Sequence, residues 1–220
     1  MAQLFTPRAD AIFRFVLLVV GVGIVAALLV VGGIAHSGYF SGVDTIAQQP
    51  VPFSHKHHAG ELGIDCRYCH TTVEIAATAG MPPTWTCMTC HSQVWAGAPM
   101  LAPVRQSLAD DRPLQWVRVS QLPSYVYFDH SIHIAKGIGC SSCHGRIDRM
   151  QLTYPVHAFS MSFCLNCHRA PQDFVRPKKE IFNMAWHPPA DQARIGRALA
   201  QQYHIDQKVG RLTDCSICHR

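Results

Sequence analysis

All 10 cysteines of this 220-residue chain fall into one recurring pattern. Its copies are Cys66-Arg-Tyr-Cys69-His70, Cys87-Met-Thr-Cys90-His91, Cys140-Ser-Ser-Cys143-His144, Cys164-Leu-Asn-Cys167-His168 and Cys215-Ser-Ile-Cys218-His219. C-x-x-C-H is the attachment pattern of haem c. Two thiols three residues apart on a helical turn reach the two vinyl groups on one porphyrin edge, and the following His points at the iron. With 14 His in the chain, chance would set one directly after all five pairs with odds on the order of one in a million. Zinc sites pair such motifs or use distant His, without a His after each. A thioredoxin-like C-x-x-C would occur once, near a βαβ pattern that is absent here. Repeated short C-x-x-C disulfides would be odd even in an exported domain. The pattern predicts five covalently attached haems c.

Each iron needs a second axial ligand to be six-coordinate and low-spin, the state suited to electron transfer. The His outside the motifs are His36, His55, His57, His58, His130, His133, His157, His187 and His204. Two groups stand out, Phe53-Ser-His55-Lys-His57-His58 before Cys66 and Phe128-Asp-His130-Ser-Ile-His133 before Cys140. In both, an aromatic leads an H-x-x-H pair, whose three-residue separation puts both imidazoles on one helix face. Such a pair can serve two different haems. The groups also mark an internal repeat: residues 53–91 and 128–168 each run aromatic, H-x-x-H, C-x-x-C-H, C-x-x-C-H. Four haems are balanced by His55, His58, His130 and His133. For the haem at Cys215 the candidates stay open. His204 precedes Cys215 by the same offset as His55 precedes Cys66, with Gln207 in place of a second His; His187, His157, Met161 and Met184 are the others. Thioether ligation raises the reduction potential, although Met more commonly fills core gaps.

These sites must be held by something, and the chain offers little ordinary core. Residues 15–35 form a 21-residue run without a charge, and about 20 apolar residues suffice to cross a bilayer. Arg8 and Arg14 precede the run and the first Lys or Arg after it is Lys56, so the positive-inside bias puts the N-terminus in the cytoplasm. Signal-peptide apolar regions span only about 7–15 residues, so an uncleaved anchor is expected. His36 then sits at its outer end. Charged residues are 15% of the chain and the formal net charge is +5, too few and too scattered for a nucleic-acid surface. Bound ions also enter the charge balance, and a ferric haem with two propionates adds about −1.

The predicted architecture is mainly α with much irregular structure. Residues 1–36 are the cytoplasmic N-terminus and transmembrane anchor, 37–52 a linker, and 53–220 an exported multihaem cytochrome c domain. Residues 191–204 read as an amphipathic helix, and Trp116 to Leu122 as a short strand or extended segment. With few core residues, stability should depend on haem insertion, as metal-dependent domains depend on metal.

The chain resembles the pentahaem cytochrome c subunit of bacterial alternative complex III, a quinol:electron-acceptor oxidoreductase. The resemblance rests on Pro50-Val-Pro-Phe-Ser-His55 and Cys66-Arg-Tyr-Cys-His70, then Gln115-Trp-Val-Arg-Val and Leu122-Pro-Ser-Tyr-Val-Tyr-Phe-Asp-His130-Ser-Ile-His133. Cys140-Ser-Ser-Cys-His-Gly-Arg146, Met161-Ser-Phe-Cys-Leu-Asn-Cys-His-Arg169 and Cys215-Ser-Ile-Cys-His-Arg220 complete it. It implies a respiratory-chain electron conduit with no catalytic residues of its own, on the periplasmic face of the cytoplasmic membrane. The implied partners are an iron–sulfur protein and polytopic quinol-binding subunits of the same complex, with a monohaem cytochrome c and a terminal oxidase or other periplasmic acceptor beyond. It also implies axial roles for His55, His58, His130 and His133, and for Met161 as the fifth distal ligand. The competing reading is a stand-alone membrane quinol dehydrogenase feeding a periplasmic reductase; that family has fewer haems and lacks the Trp116 block. A multihaem reductase of small molecules needs an open iron, often marked by Lys in place of the motif His, and all five motifs here end in His.

Overall fold

The computed structural model describes residues 6–205 and 210–219, so Gln207 and Arg220 lie outside the described residues. The chain divides into two compact units, Met1–Val43 and Asp44–Arg220. The first is built on α1 (Pro7–Ala35), a 29-residue helix with no buried residue. At 1.5 Å per residue its length is roughly 43 Å, enough to cross a bilayer's hydrocarbon. Thr6 caps it by accepting from the Ala9 N–H, and Pro7 occupies the first turn, where no N–H partner is needed. Asp10 in that turn pairs with Arg14 at 2.9 Å. A short α2 (Gly38–Ser41) follows. This is one helix long and apolar enough to span a membrane.

The second unit has short helices and long irregular connections, with no strand among the described residues. A π-helical turn at Lys56–Glu61 opens it. Then come α3 (Cys66–Cys69), α4 (Thr84–His91), α5 (Ala102–Ala109), α6 (His130–Ala135), α7 (Ser141–His144), α8 (Met161–Arg169), α9 (Gln192–Gln202) and α10 (Cys215–Cys218). Trp116 to Leu122 is irregular, bends at Val119 and Ser120, and forms no strand. The Gln49 carboxamide takes both backbone groups of Val117, accepting from its N–H at 2.9 Å and donating to its carbonyl at 2.8 Å. A side chain thus replaces the neighbouring strand, and Trp116 sets its ring 6.4 Å from Phe53.

Apolar burial is divided among small clusters: Val175, Ala200, Tyr203 and Ile205; Val51, Leu101 and Val104; Val73, Ile134 and Ile181. Cys87 borders the second and Cys140 the third. α9 supplies Ala200 to the first and is amphipathic, as its spacing predicts.

The repeat becomes a reciprocal embrace between its two copies. The Lys56 N–H donates to the Met150 carbonyl at 2.9 Å, and the Ser131 N–H donates to the Ala76 carbonyl at 3.2 Å. Each H-x-x-H segment is therefore tied to the loop that follows the first C-x-x-C-H motif of the other copy. On one side the approach is close enough to require glycine, because a Cβ on Gly60 would collide with the Asp148 carbonyl oxygen. Gly60→Ala is expected to cost about 1–3 kcal/mol, the range for overpacking a tight contact. A lower denaturant midpoint of the haem-loaded protein is the expected result. An unchanged midpoint would show that the Asp148 loop yields freely.

Candidate haem sites

The two H-x-x-H segments are built alike. Ser54 accepts from the His57 N–H at 3.1 Å, and Asp129 caps α6 by accepting from the Ser131 N–H at 2.8 Å. The residue before each pair thereby starts the helical turn that fans the two imidazoles out. The leading phenylalanines hold the rings. Phe53 lies 4.9 Å from His55 at 87° and 4.4 Å from His58 at 26°, and Phe128 lies 4.8 Å from His130 at 88° and 4.3 Å from His133 at 27°. Edge-to-face on one His and offset-stacked on the other are the favoured aromatic geometries.

Each of these imidazoles faces one motif histidine. His55 and His70 have ring centres 6.5 Å apart with planes 7° from parallel, and His130 and His144 are 6.3 Å apart, also at 7°. His58 and His91 are 6.1 Å apart at 63°, and His133 and His168 are 6.2 Å apart at 33°. Two imidazoles bound through Nε2 to opposite sides of one metal, each at about 2 Å, place their ring centres about 6.3 Å apart. All four separations lie close to that value. In each repeat the first His of the pair faces the motif His that comes first, and the second His faces the second.

The tautomers agree with this geometry. A carbonyl oxygen can only accept, so a ring whose Nδ1 faces one carries its proton there and leaves Nε2 as a lone pair. His58 Nδ1 donates to the Ser54 carbonyl at 2.9 Å and His133 Nδ1 to the Asp129 carbonyl at 2.6 Å. His70 donates to Gly80 at 2.8 Å, His91 to Val94 at 3.0 Å, His130 to Ala77 at 2.8 Å and His168 to Leu212 at 2.8 Å. His55 Nδ1 lies 2.8 Å from Thr153 Oγ1. Such outer hydrogen bonds orient metal-ligating histidines and raise their basicity. His57 differs, since its Nδ1 meets the Glu61 carboxylate at 3.0 Å. It belongs to the surface rather than to a facing pair.

Burial favours the neutral form of His55 and His144, the form in which an imidazole could ligate iron. Desolvation, then the neighbouring His70, His58 and His144, pull His55 down to about 4. Desolvation, then His130, His70 and His157, bring His144 to about 4. The cysteines are all free, and burial pushes Cys140 up to about 12, Cys143 to about 11 and Cys167 to about 12. Burial thus holds these Sγ atoms in the neutral thiol form. Among the described residues no three His, Cys, Asp or Glu side chains converge as a metal site. The C-x-x-C turns and the facing histidines would instead hold haem, the cysteines through thioethers and the imidazoles toward the iron.

The motifs also follow one another in space. Cys87 is an electrostatic neighbour of Cys69, Cys66 of Cys140, Cys164 of Cys143, and Cys218 of Cys164. The last motif docks through its own backbone. The Tyr127 N–H donates to the Cys218 carbonyl at 2.8 Å, and Val126 and His219 form an isolated bridge. His219 Nδ1 donates to the Tyr125 carbonyl at 3.2 Å, leaving Nε2 free as in the other sites. The ring recorded beside it is that of Tyr125, at 5.9 Å, rather than a fifth imidazole. His187 and His204 are exposed, while His157 and Met184 are half-buried. His157 packs 5.0 Å from Phe163. Met161 is 62% exposed at the start of α8. It shares a helix face with Cys164 and His168 by its three- and seven-residue spacing. The carbonyl partners, Thr153 and the spatial order of the motifs have no signature in local sequence.

Comparison with known proteins gives the same chemistry. Residues 126–220 match the family model described as cytochrome c7 and related cytochrome c. A relative, the menaquinone reductase multiheme cytochrome c subunit of Nitratidesulfovibrio vulgaris (Hildenborough), is 35% identical over 98 residues. That alignment covers 44% of this chain and 46% of the relative, so the match spans about half the length of that protein. Repeated C-x-x-C-H turns, facing imidazole pairs and the absence of strands among the described residues describe a helical multihaem cytochrome c domain, similar over residues 126–220 to the cytochromes c7.

Proposed function

We propose that this chain is a single-pass, membrane-anchored pentahaem electron conduit, with its haem domain in the periplasm. It serves as the cytochrome subunit of a quinol:acceptor oxidoreductase of the alternative complex III type. The observation that carries the conduit reading is the set of four facing imidazole pairs, 6.1–6.5 Å apart. Bound haem supplies the one-electron ferric–ferrous couple. The chain's residues tether it, close both axial positions and keep small molecules from the iron.

In this reading His55 with His70, His58 with His91, His130 with His144 and His133 with His168 would hold the irons of four haems. Met161 completes the site of His219, supported by the helix face it shares with Cys164 and by the proximity of Cys164 to Cys218. The sites then run in the order Cys87, Cys66, Cys140, Cys164, Cys215, which is not their order in sequence. A single span cannot enclose a quinol in a concave apolar pocket, so quinol chemistry falls to partner subunits. These are an iron–sulfur protein and polytopic membrane proteins; a monohaem cytochrome c or terminal oxidase receives the electrons.

Mild detergent purification through this chain tests the assignment. Co-purification of a large iron–sulfur protein with polytopic subunits is expected, and quinol should reduce the haem bands. Isolation of a lone cytochrome would overturn it. The name of the Nitratidesulfovibrio relative favours a second reading, in which electrons leave this chain for menaquinone. Oxidation of pre-reduced haem by menaquinone, with no reduction by the quinol, would decide for that direction.

A further inference from the structure

The repeat gives two sites the same ligation. His55–His70 and His130–His144 match within 0.2 Å in separation and share the 7° ring angle. Axial ligands therefore do not distinguish the potentials of the Cys66 and Cys140 sites, and the difference must come from burial, hydrogen bonding or charge. Charge differs sharply between them.

At the first motif the nearby guanidinium is Arg67, whose side chain is 49% exposed and paired with Asp65 at 2.8 Å. Both its Nε and Nη2 donate to that carboxylate. The charge is neutralised and in water. At the third motif the guanidinium is Arg176, which is 3% exposed. Its Nη1 donates to Ser141 Oγ at 3.1 Å and its Nη2 to Ser142 Oγ at 2.8 Å. These serines are the two residues between Cys140 and Cys143. Nη1 also reaches the Glu180 and Asn183 carbonyls at 3.5 and 3.4 Å, and the group lies 4.3 Å over the Trp186 ring. No carboxylate among the described residues forms an ion pair with it; the Glu180 carboxylate, which accepts from the Asn183 amide at 2.7 Å, acts on its charge only through space. Its buried Nε has no acceptor. A Cβ on Gly139 would collide with the guanidinium, so the chain leaves room for it next to Cys140.

Arginine keeps its charge even when buried. A buried cation without a counter-ion is costly to hold, and here it is held by neutral oxygens and a π-face rather than by a carboxylate. We infer that Arg176 is a potential-setting residue: its buried charge, in no direct ion pair and pinned to the third C-x-x-C turn, raises the reduction potential of the Cys140 haem above that of the Cys66 haem. Reduction adds negative charge at the iron, and a fixed positive charge in a poorly screened interior favours it. Two sites made alike by duplication thus acquire a direction. Electrons run downhill from the Cys66 site to the Cys140 site, the second step of the proposed order.

This inference rests on the five-haem reading, and one experiment separates the two. The full-length, haem-loaded protein is titrated spectroelectrochemically beside Arg176→Gln, Arg176→Lys and Ser142→Asp, with haem per chain measured for each. Ser142→Asp leaves the arginine in place and sets a carboxylate against it. In Arg176→Gln and Ser142→Asp, one of the five redox waves should fall by at least tenfold in reduced-to-oxidised ratio at fixed potential, which is 59 mV for one electron. The other waves stay, and Arg176→Lys stays close to wild type. Where Arg176→Gln does not load haem, Ser142→Asp decides. Unmoved waves in a fully loaded Ser142→Asp protein overturn the inference and leave the five-haem reading standing. Fewer than five haems on the wild type overturns that reading itself.

Discussion

Serine at both Cys140 and Cys143 leaves four haems where the five C-x-x-C-H motifs of the wild type predict five. The loss should show as a drop of one fifth in haem absorbance per chain after denaturation, where protein effects on the spectrum vanish. The consequence should depend on which motif is changed. Cys140 borders the cluster of Val73, Ile134 and Ile181, and is an electrostatic neighbour of Cys66. Losing that haem removes apolar mass from the centre of the unit and opens a gap in the proposed order. The variant is expected to unfold at markedly lower denaturant, and electron passage between the ends should collapse. Serine at Cys215 and Cys218 also leaves four haems, but the gap is then terminal. The remaining sites should stay in redox contact and stability should fall less. Equal damage from both variants would overturn the spatial order. Five haems in either would overturn the covalent assignment.

Methionine at His130 is expected to raise the potential of one haem by on the order of 100 mV, part of the ~0.8 V range that axial ligands span. A thioether is a weaker donor to ferric iron than an imidazole and shifts the balance toward the ferrous form. A sulfur-to-iron charge-transfer band should appear with it. The pairing decides which haem moves. His130 faces His144 at 6.3 Å and His133 faces His168 at 6.2 Å. His130→Met should therefore have no wave to shift once Cys140 and Cys143 are serine, and should keep its effect when Cys164 and Cys167 are serine. His133→Met should behave the opposite way. If both methionines act on the same haem, the pairing is wrong. His57→Met is the control, because that ring is bound to Glu61 at 3.0 Å and faces no motif histidine; no potential should move.

The duplication and its ligands were legible because they are written in short stretches. A thiol pair and its histidine occupy five consecutive residues, so no distant part of the chain is needed to recognise them. An H-x-x-H pair on one turn is legible for the same reason, and so is the apolar run of α1. The Trp116 segment was not legible: it forms no strand. Its residues favour a strand, but the partner is the carboxamide of Gln49, 68 positions away, and no local pattern announces a side chain standing in for a strand.

Attachment is a local property and closure of the iron's other face is not. Residues 66–70, 87–91, 140–144, 164–168 and 215–219 carry the C-x-x-C-H motifs within single turns, so spacing alone points to the proposed chemistry. Which imidazole closes which site depends on how the two copies embrace, through bonds such as Lys56 to Met150 and Ser131 to Ala76. The same folding brings Arg176 to Ser141 and Ser142 of a motif, 35 and 34 residues earlier in the chain, with hydrogen bonds to both. Ligand pairing, the order of the sites and the electrostatic difference between duplicated halves all arise from contacts between distant segments. Local residue patterns do not encode them, because an imidazole or a guanidinium acts on whatever the fold sets beside it.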